Sequence, residues 1–171
     1  MSKNSRAQVA GQIFIYILAI IVVSMILLYG YKAIKGTSDN KEQIEFITLK
    51  TDLENSFNAI KTDFGSIKRP KLDVPAKFKK VCFIDLDQPI TSATTSDICL
   101  KGNPAYEPVV CSGWEIGRNN IYLCPECTDS FSVGDIKVKG TASFICIPVV
   151  NNRINLQIEG KGNHVEISTY E

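Results

Sequence analysis

Cys124-Pro125-Glu126-Cys127 is the one short stretch of this chain with chemical content. Two thiols at that spacing can serve as a dithiol redox pair, as half of a zinc site, or as two structural cysteines. The redox use wants a helix N-terminus beneath the first thiol, which lowers its pKa, and a βαβ setting around it. Here the motif follows a strand-like run, "NIYLC", and precedes "TDSFSVG", a poor helix former. Zinc wants four ligands in a tetrahedron, usually with a second close pair. The other cysteines stand singly, with gaps of 12 to 19 positions. The pattern favours structural disulfides and gives no reason to expect a metal, a cofactor or a catalytic residue.

Other candidate chemistry is weaker. His164 is the only histidine, so a two-histidine metal site is excluded, and its place suggests a surface strand. "DLDQPITSATTSD" opens like a calcium loop with Asp85 and Asp87. It lacks the glycine at the sixth position and the glutamate at the twelfth that such a loop needs. "KRPKLDVPAKFKK" carries six bases and one acid and reads as a solvated loop. There is no glycine-rich phosphate loop and no nucleophile elbow. The chain reads as a non-enzyme.

Whatever the cysteines do, other elements must position them. The chain has 171 residues, enough for one modest domain and an anchor. Its formal charge of +1 hides an asymmetry: residues 1–35 hold Lys3, Arg6, Lys32 and Lys35 and no acid. The remainder carries 18 acids against 15 bases. That slight acidic excess argues against a nucleic-acid partner. Between Arg6 and Lys32 lie 25 residues without a formal charge. As a helix they span roughly 37 Å, against a hydrocarbon core of about 30 Å. The run exceeds a secretory signal's apolar region, and "YGYKAIKG" after it offers no Ala-x-Ala-like cleavage site. A retained membrane helix is expected, with the lipid bilayer as its partner.

Orientation follows from the cysteines, because the flanking charges nearly tie. Cys82, Cys99, Cys111, Cys124, Cys127 and Cys146 all lie beyond the helix. An even number in a small polar region suits an oxidising compartment. The N-terminus is therefore expected in the cytoplasm and the C-terminal domain outside the cell. Six cysteines allow 15 pairings, which sequence cannot distinguish. Cross-links from the irregular stretch 88–120 to the β strands are expected among them.

Four segments follow: a basic leader (1–11), a transmembrane helix (12–35), an amphipathic helix (36–65) and a β-rich domain (66–171). Gly36 should break the first helix, with Asp39 and Glu42 as a capping box for the second. Phe46, Leu49, Leu53, Phe57, Ile60 and Phe64 recur at helical spacing and predict one buried face. Gly65, Pro70 and Pro75 end it. "KKVCFIDLD", "NIYLC" and "DIKVKG" read as strands, and residues 101–118 as irregular. "SFICIPVV" and "RINLQIEG" flank "NN", a two-residue hairpin turn, and "GKGN" leads into "HVEIST". An antiparallel meander of at least three strands is expected. The fold class is α+β: a transmembrane helix, a second amphipathic helix, then a small antiparallel β head with disulfides.

That order of parts, with "RAQVAGQIFIYILAIIVV" near the start, resembles archaeal type IV pilin-like proteins with a class III signal peptide. The resemblance implies a short basic leader cut on the cytoplasmic side by a prepilin-peptidase-like enzyme. The cut would fall between a small residue and Gln, at Ala7–Gln8 or at Gly11–Gln12. It also implies a retained helix that first anchors the chain and then self-assembles, with the β head facing out. The sequence departs from the family in having no acid before Asp39, where many pilins carry Glu at the fifth mature position. Three functions thus compete: a pilin-like subunit or minor pilin, a monomeric single-pass anchored binding module, and an anchored thiol oxidoreductase using Cys124 and Cys127.

Overall fold

The computed structural model describes residues 5–88, 98–104, 106–140 and 142–170, without the side chains of 5–12 and 36–40. The chain divides into two compact units, Met1–Gln43 and Ile44–Glu171. One helix, α1 (Ser5–Lys61), contributes to both.

In the first unit, Ile13–Lys35 forms 23 residues of helix with mean hydropathy 2.8 and no buried share. This segment is long and apolar enough to cross a membrane. The Ser24 hydroxyl donates to the Ile20 carbonyl at 2.7 Å, so it needs no partner outside the helix. The expected break at Gly36 does not occur, and residues 36–40 are helical. A glycine inside a helix costs about 1 kcal/mol. Ending the helix and nucleating another would cost more, because each nucleation fixes several dihedrals for one hydrogen bond. The expected second helix is therefore the C-terminal part of α1, which ends at Lys61 rather than at residue 65.

In the second unit, two four-stranded sheets share one core. Their strands are β1 (Ile67–Lys68), β2 (Lys80–Ile84), β3 (Ile121–Cys124), β4 (Asp129–Phe131), β5 (Ile136–Val138), β6 (Phe144–Pro148), β7 (Leu156–Gly160) and β8 (Val165–Thr169). The orders are β1-β7-β8-β5 and β4-β3-β2-β6. Pairings are antiparallel except β5 with β8, which run parallel. The predicted helical face belongs to that core: Leu49, Leu53, Phe57 and Ile60 are buried with Val81, Phe83, Leu123 and Ile147 of one sheet and Leu156, Ile158, Val165 and Ile167 of the other. Phe46 packs at the edge of this core, its ring edge-on to Phe131 at 5.8 Å between centroids. Phe64 departs from the expectation: it lies beyond the helix end and is 81% exposed.

The period-two alternation of β2 gives its sheet two buried faces. Val81 and Phe83 enter the main core, while Cys82 and Ile84 enter a second cluster with Ile98, Val110, Trp114, Tyr122, Cys124 and Cys127. That second cluster is covered by α2 (Pro108–Ile116), in a stretch expected to be irregular. Proline near its start and Gly117 in the left-handed region at its end (φ 68°) delimit it. Its own sequence, PVVCSGWEI, is a poor helix former, and burial of Val110 and Trp114 one turn apart outweighs that propensity.

The expected meander is also divided. Asn151 (φ 52°) and Asn152 (φ 59°) make the anticipated turn, closed by a bridge between Val150 and Arg153. Beyond it the two strands part: β6 pairs with β2, and β7 with β1 and β8. The β7–β8 hairpin forms as read. A turn signal fixes a reversal of the chain and leaves open which partner each strand finds afterwards.

Candidate functional site

Cys124 ends β3, opposite Lys80 in the ladder with β2. The turn Pro125-Glu126 is exposed, and the chain returns at Cys127, a non-glycine residue in the left-handed region (φ 54°). Cys124 and Cys127 form a disulfide with Cα atoms 4.1 Å apart, and both residues are fully buried. Against this disulfide lies Glu107, the residue before α2. It occupies the N-cap position yet makes no capping hydrogen bond with its side chain. Its Oε1 pairs with the Lys80 ammonium at 2.5 Å, and its Oε2 sits 3.5 Å from the Cys127 Sγ. Glu107 and Lys80 escaped the sequence reading. The signal for Glu107 was Pro108 followed by Val110 and Trp114, a helix start with two apolar residues at helical spacing.

This arrangement does not suit thiol exchange. The first cysteine stands at a strand end rather than a helix N-terminus, and the nearest helix start contributes a carboxylate. A carboxylate beside a sulfur disfavours the thiolate. Neither sulfur is open to an attacking thiol.

The other four cysteines also form disulfides. Cys82–Cys146 joins directly opposed residues of β2 and β6, with Cα atoms 4.0 Å apart. Cys99–Cys111 joins two residues 12 positions apart. The expected cross-link from residues 88–120 to the strands is not formed, since Cys99 and Cys111 both lie within that stretch. Its described part is held by packing instead: Ile98, Val110 and Trp114 lie on the outer face of the β2 sheet, and Trp114 Nε1 donates to the Gln88 carbonyl at 3.2 Å. Residues 89–97 of that stretch lie outside the described residues.

The candidate leader positions Ala7, Gln8, Gly11 and Gln12 have helical backbone within α1. His164 lies in the turn between β7 and β8 rather than in a strand, its Nδ1 2.6 Å from Asn163 Oδ1. Asp85 is buried and accepts from the Asp87 amide at 3.0 Å, while Asp87 pairs with Lys137 at 3.7 Å. Both carboxylates thus have local partners. The basic tract is likewise engaged: Lys77 pairs with Asp129 at 3.2 Å and Arg69 donates to Gln157 at 3.0 Å.

The first unit exposes a long run of apolar side chains. Ile13, Phe14, Ile17, Ile20, Leu27 and Leu28 are among its side chains, each at least half exposed. In water such a surface would drive association, and in a bilayer it is satisfied by lipid. No family model, no curated protein and no solved structure matches this chain.

Proposed function

We propose that the protein is a membrane-anchored structural subunit, an archaeal pilin-like protein or minor pilin, with its N-terminus cytoplasmic and its β domain outside the cell. The observation that carries this reading is the continuity of α1. One helix holds both an apolar segment able to span a bilayer and the residues Leu49, Leu53, Phe57 and Ile60 that lock into the β core. Three disulfides support an oxidising exterior for the head. The helix then anchors the chain after a prepilin-peptidase-like enzyme removes the leader, and serves as the self-assembly surface.

N-terminal sequencing with intact mass, on protein from native membranes without reductant, tests this reading. The mature chain is expected to begin at Gln8 or Gln12 and to lack six hydrogens relative to the fully reduced form. An intact Met1 together with six free thiols would overturn both the processing and the outward placement.

A further inference from the structure

We propose that the groove bounded by α2, β3 and β4 is a binding site for a small monocarboxylate with a compact apolar body. The site lies within the second unit and is independent of the pilin-like reading. The groove holds about 450 Å³, within the range of roughly 300–1,000 Å³ that suits small molecules. Pro108, Val109, Gly113 and Ile116 of α2 line one part of it. Val109 and Ile116 stay exposed there, while Val110 and Trp114 take the buried side of the same helix. Arg118, Asn119, Tyr122 and Ser130 supply the polar lining.

Tyr122 is the informative member. It is only 3% exposed, and its hydroxyl makes no hydrogen bond among the described residues. Nor is that oxygen sealed from solvent. Polar groups at such depth ordinarily have a partner. The phenol reaches the groove because α2 carries glycine at position 113: a side chain there would run into the Tyr122 hydroxyl. Glycine inside a helix is destabilising. At this position its missing side chain is what admits the phenol. Burial also pushes the phenol's pKa above its ordinary 10.0, so at neutral pH it is a hydroxyl able to donate.

The polar lining offers donors and no anion. The Asn119 amide donates to Ser130 Oγ at 2.9 Å, and the Ser130 hydroxyl proton has no acceptor among the described residues. The Arg118 guanidinium is exposed and forms no ion pair among the described residues. No lining residue is acidic, although acids outnumber bases beyond residue 35. A cation would be repelled by Arg118, and a neutral ligand would leave its charge unused. A carboxylate can accept from Tyr122, Ser130 and Arg118, and hydrogen bonds to an ionised acceptor are stronger than neutral ones. One cation matches one negative charge, which favours a carboxylate over a phosphate carrying nearly two. The apolar body of the ligand then covers Pro108, Val109 and Ile116 and removes them from water.

Titration of the isotopically labelled full-length chain in lipid nanodiscs with naphthylacetate, read by amide chemical shifts, tests the site. Saturable shifts are expected at Gly113, Ile116, Asn119 and Tyr122. Naphthylacetamide, the same body without the charge, should bind at least about tenfold more weakly, and so should naphthylacetate to Arg118→Gln. Tyr122→Phe should weaken binding at an unchanged melting temperature, because the hydroxyl it removes has no partner in the free protein. Ile116→Glu alters an exposed residue and should keep the fold while abolishing the shifts. Equal affinity for the amide and the carboxylate would overturn the proposal, as would unchanged affinity in Arg118→Gln. Shifts that never saturate and persist in Ile116→Glu would assign the probe to the lipid and overturn it too. The same amides shifting as the protein is concentrated without probe would give the groove to a second copy of the chain, against the proposal.

Discussion

Gly160, the last residue of β7, lies directly beneath the end of α1 at Ile60. A methyl group on its Cα would run into the carbonyl oxygens of Ile60 and Asp63. The approach is held by hydrogen bonds: Gly65 N–H to Gly160 O at 2.8 Å, Gly160 N–H to Ser66 O at 3.0 Å, and Gly162 N–H to Lys61 O at 2.9 Å. In the last of these the Lys61 carbonyl accepts, at the helix terminus where carbonyls have no partner within the helix. Gly160→Ala should therefore destabilise the β domain by about 1–3 kcal/mol, as overpacking against backbone does. Gly30→Ala, in open surroundings within the first unit, should leave the thermal melt of the β domain unchanged. Equal melting of Gly160→Ala and wild type would contradict the close approach.

The disulfides should differ in worth. In the chain-entropy account, stabilisation grows with the loop closed. Cys82–Cys146 spans 64 positions, Cys99–Cys111 spans 12 and Cys124–Cys127 spans 3. The corresponding contributions are about 4, 3 and 2 kcal/mol. Urea melts of the three paired Cys→Ala variants should follow that order. A reversed order would show that native packing, rather than loop closure, sets their value.

These two features differ in how far they can be read from sequence. The face Leu49, Leu53, Phe57, Ile60 was legible because a period of 3.6 is a local property of the chain. So were β2, β3 and β5, and the turn at Asn151-Asn152. The contact of Gly160 with Ile60 was not legible, because it depends on how two distant elements meet. The same holds for α2, whose poor helix propensity is outweighed by burial of Val110 and Trp114. Gly36 does not end α1, because one glycine is a small cost in a helix already propagating. At the cysteine site, the pair Cys124 and Cys127 was plain from spacing. Glu107 and Lys80 join it only through the fold, from 17 and 44 positions before Cys124.

Asp85 gives the protein a pH dependence. Burial raises its pKa above the ordinary value of 3.8, although the hydrogen bond from the Asp87 amide pulls the other way. The folded state thus holds this proton more tightly than the unfolded state. Stability from this group is present below about pH 3.8 and falls as pH rises through the folded value. Asp85→Asn keeps an acceptor for the Asp87 amide and cannot ionise. Its melting temperature relative to wild type should rise between acidic and neutral pH. A difference that does not vary with pH would contradict the burial argument.

The anchor can be tested by charge. An aspartate or arginine at a bilayer centre costs about 2.5–3.5 kcal/mol on insertion scales. Ile21→Asp and Val22→Arg should each shift protein from the membrane to the soluble or aggregated fraction. Ile44→Asp, exposed on α1 within the second unit, should not. Identical fractionation of all three would argue against Ile13–Lys35 as the spanning segment.

The central claim, that α1 is an assembly surface as well as an anchor, is tested most directly by photocrosslinking in native membranes. A photoreactive amino acid at Ile17 or Leu28, both exposed on the apolar segment, reports what touches that surface. The account predicts a ladder of homo-oligomers at multiples of the subunit mass, lost in Val22→Arg. Adducts to lipid alone, with every protein band at monomer mass, would contradict it and leave the chain as a monomeric anchored module.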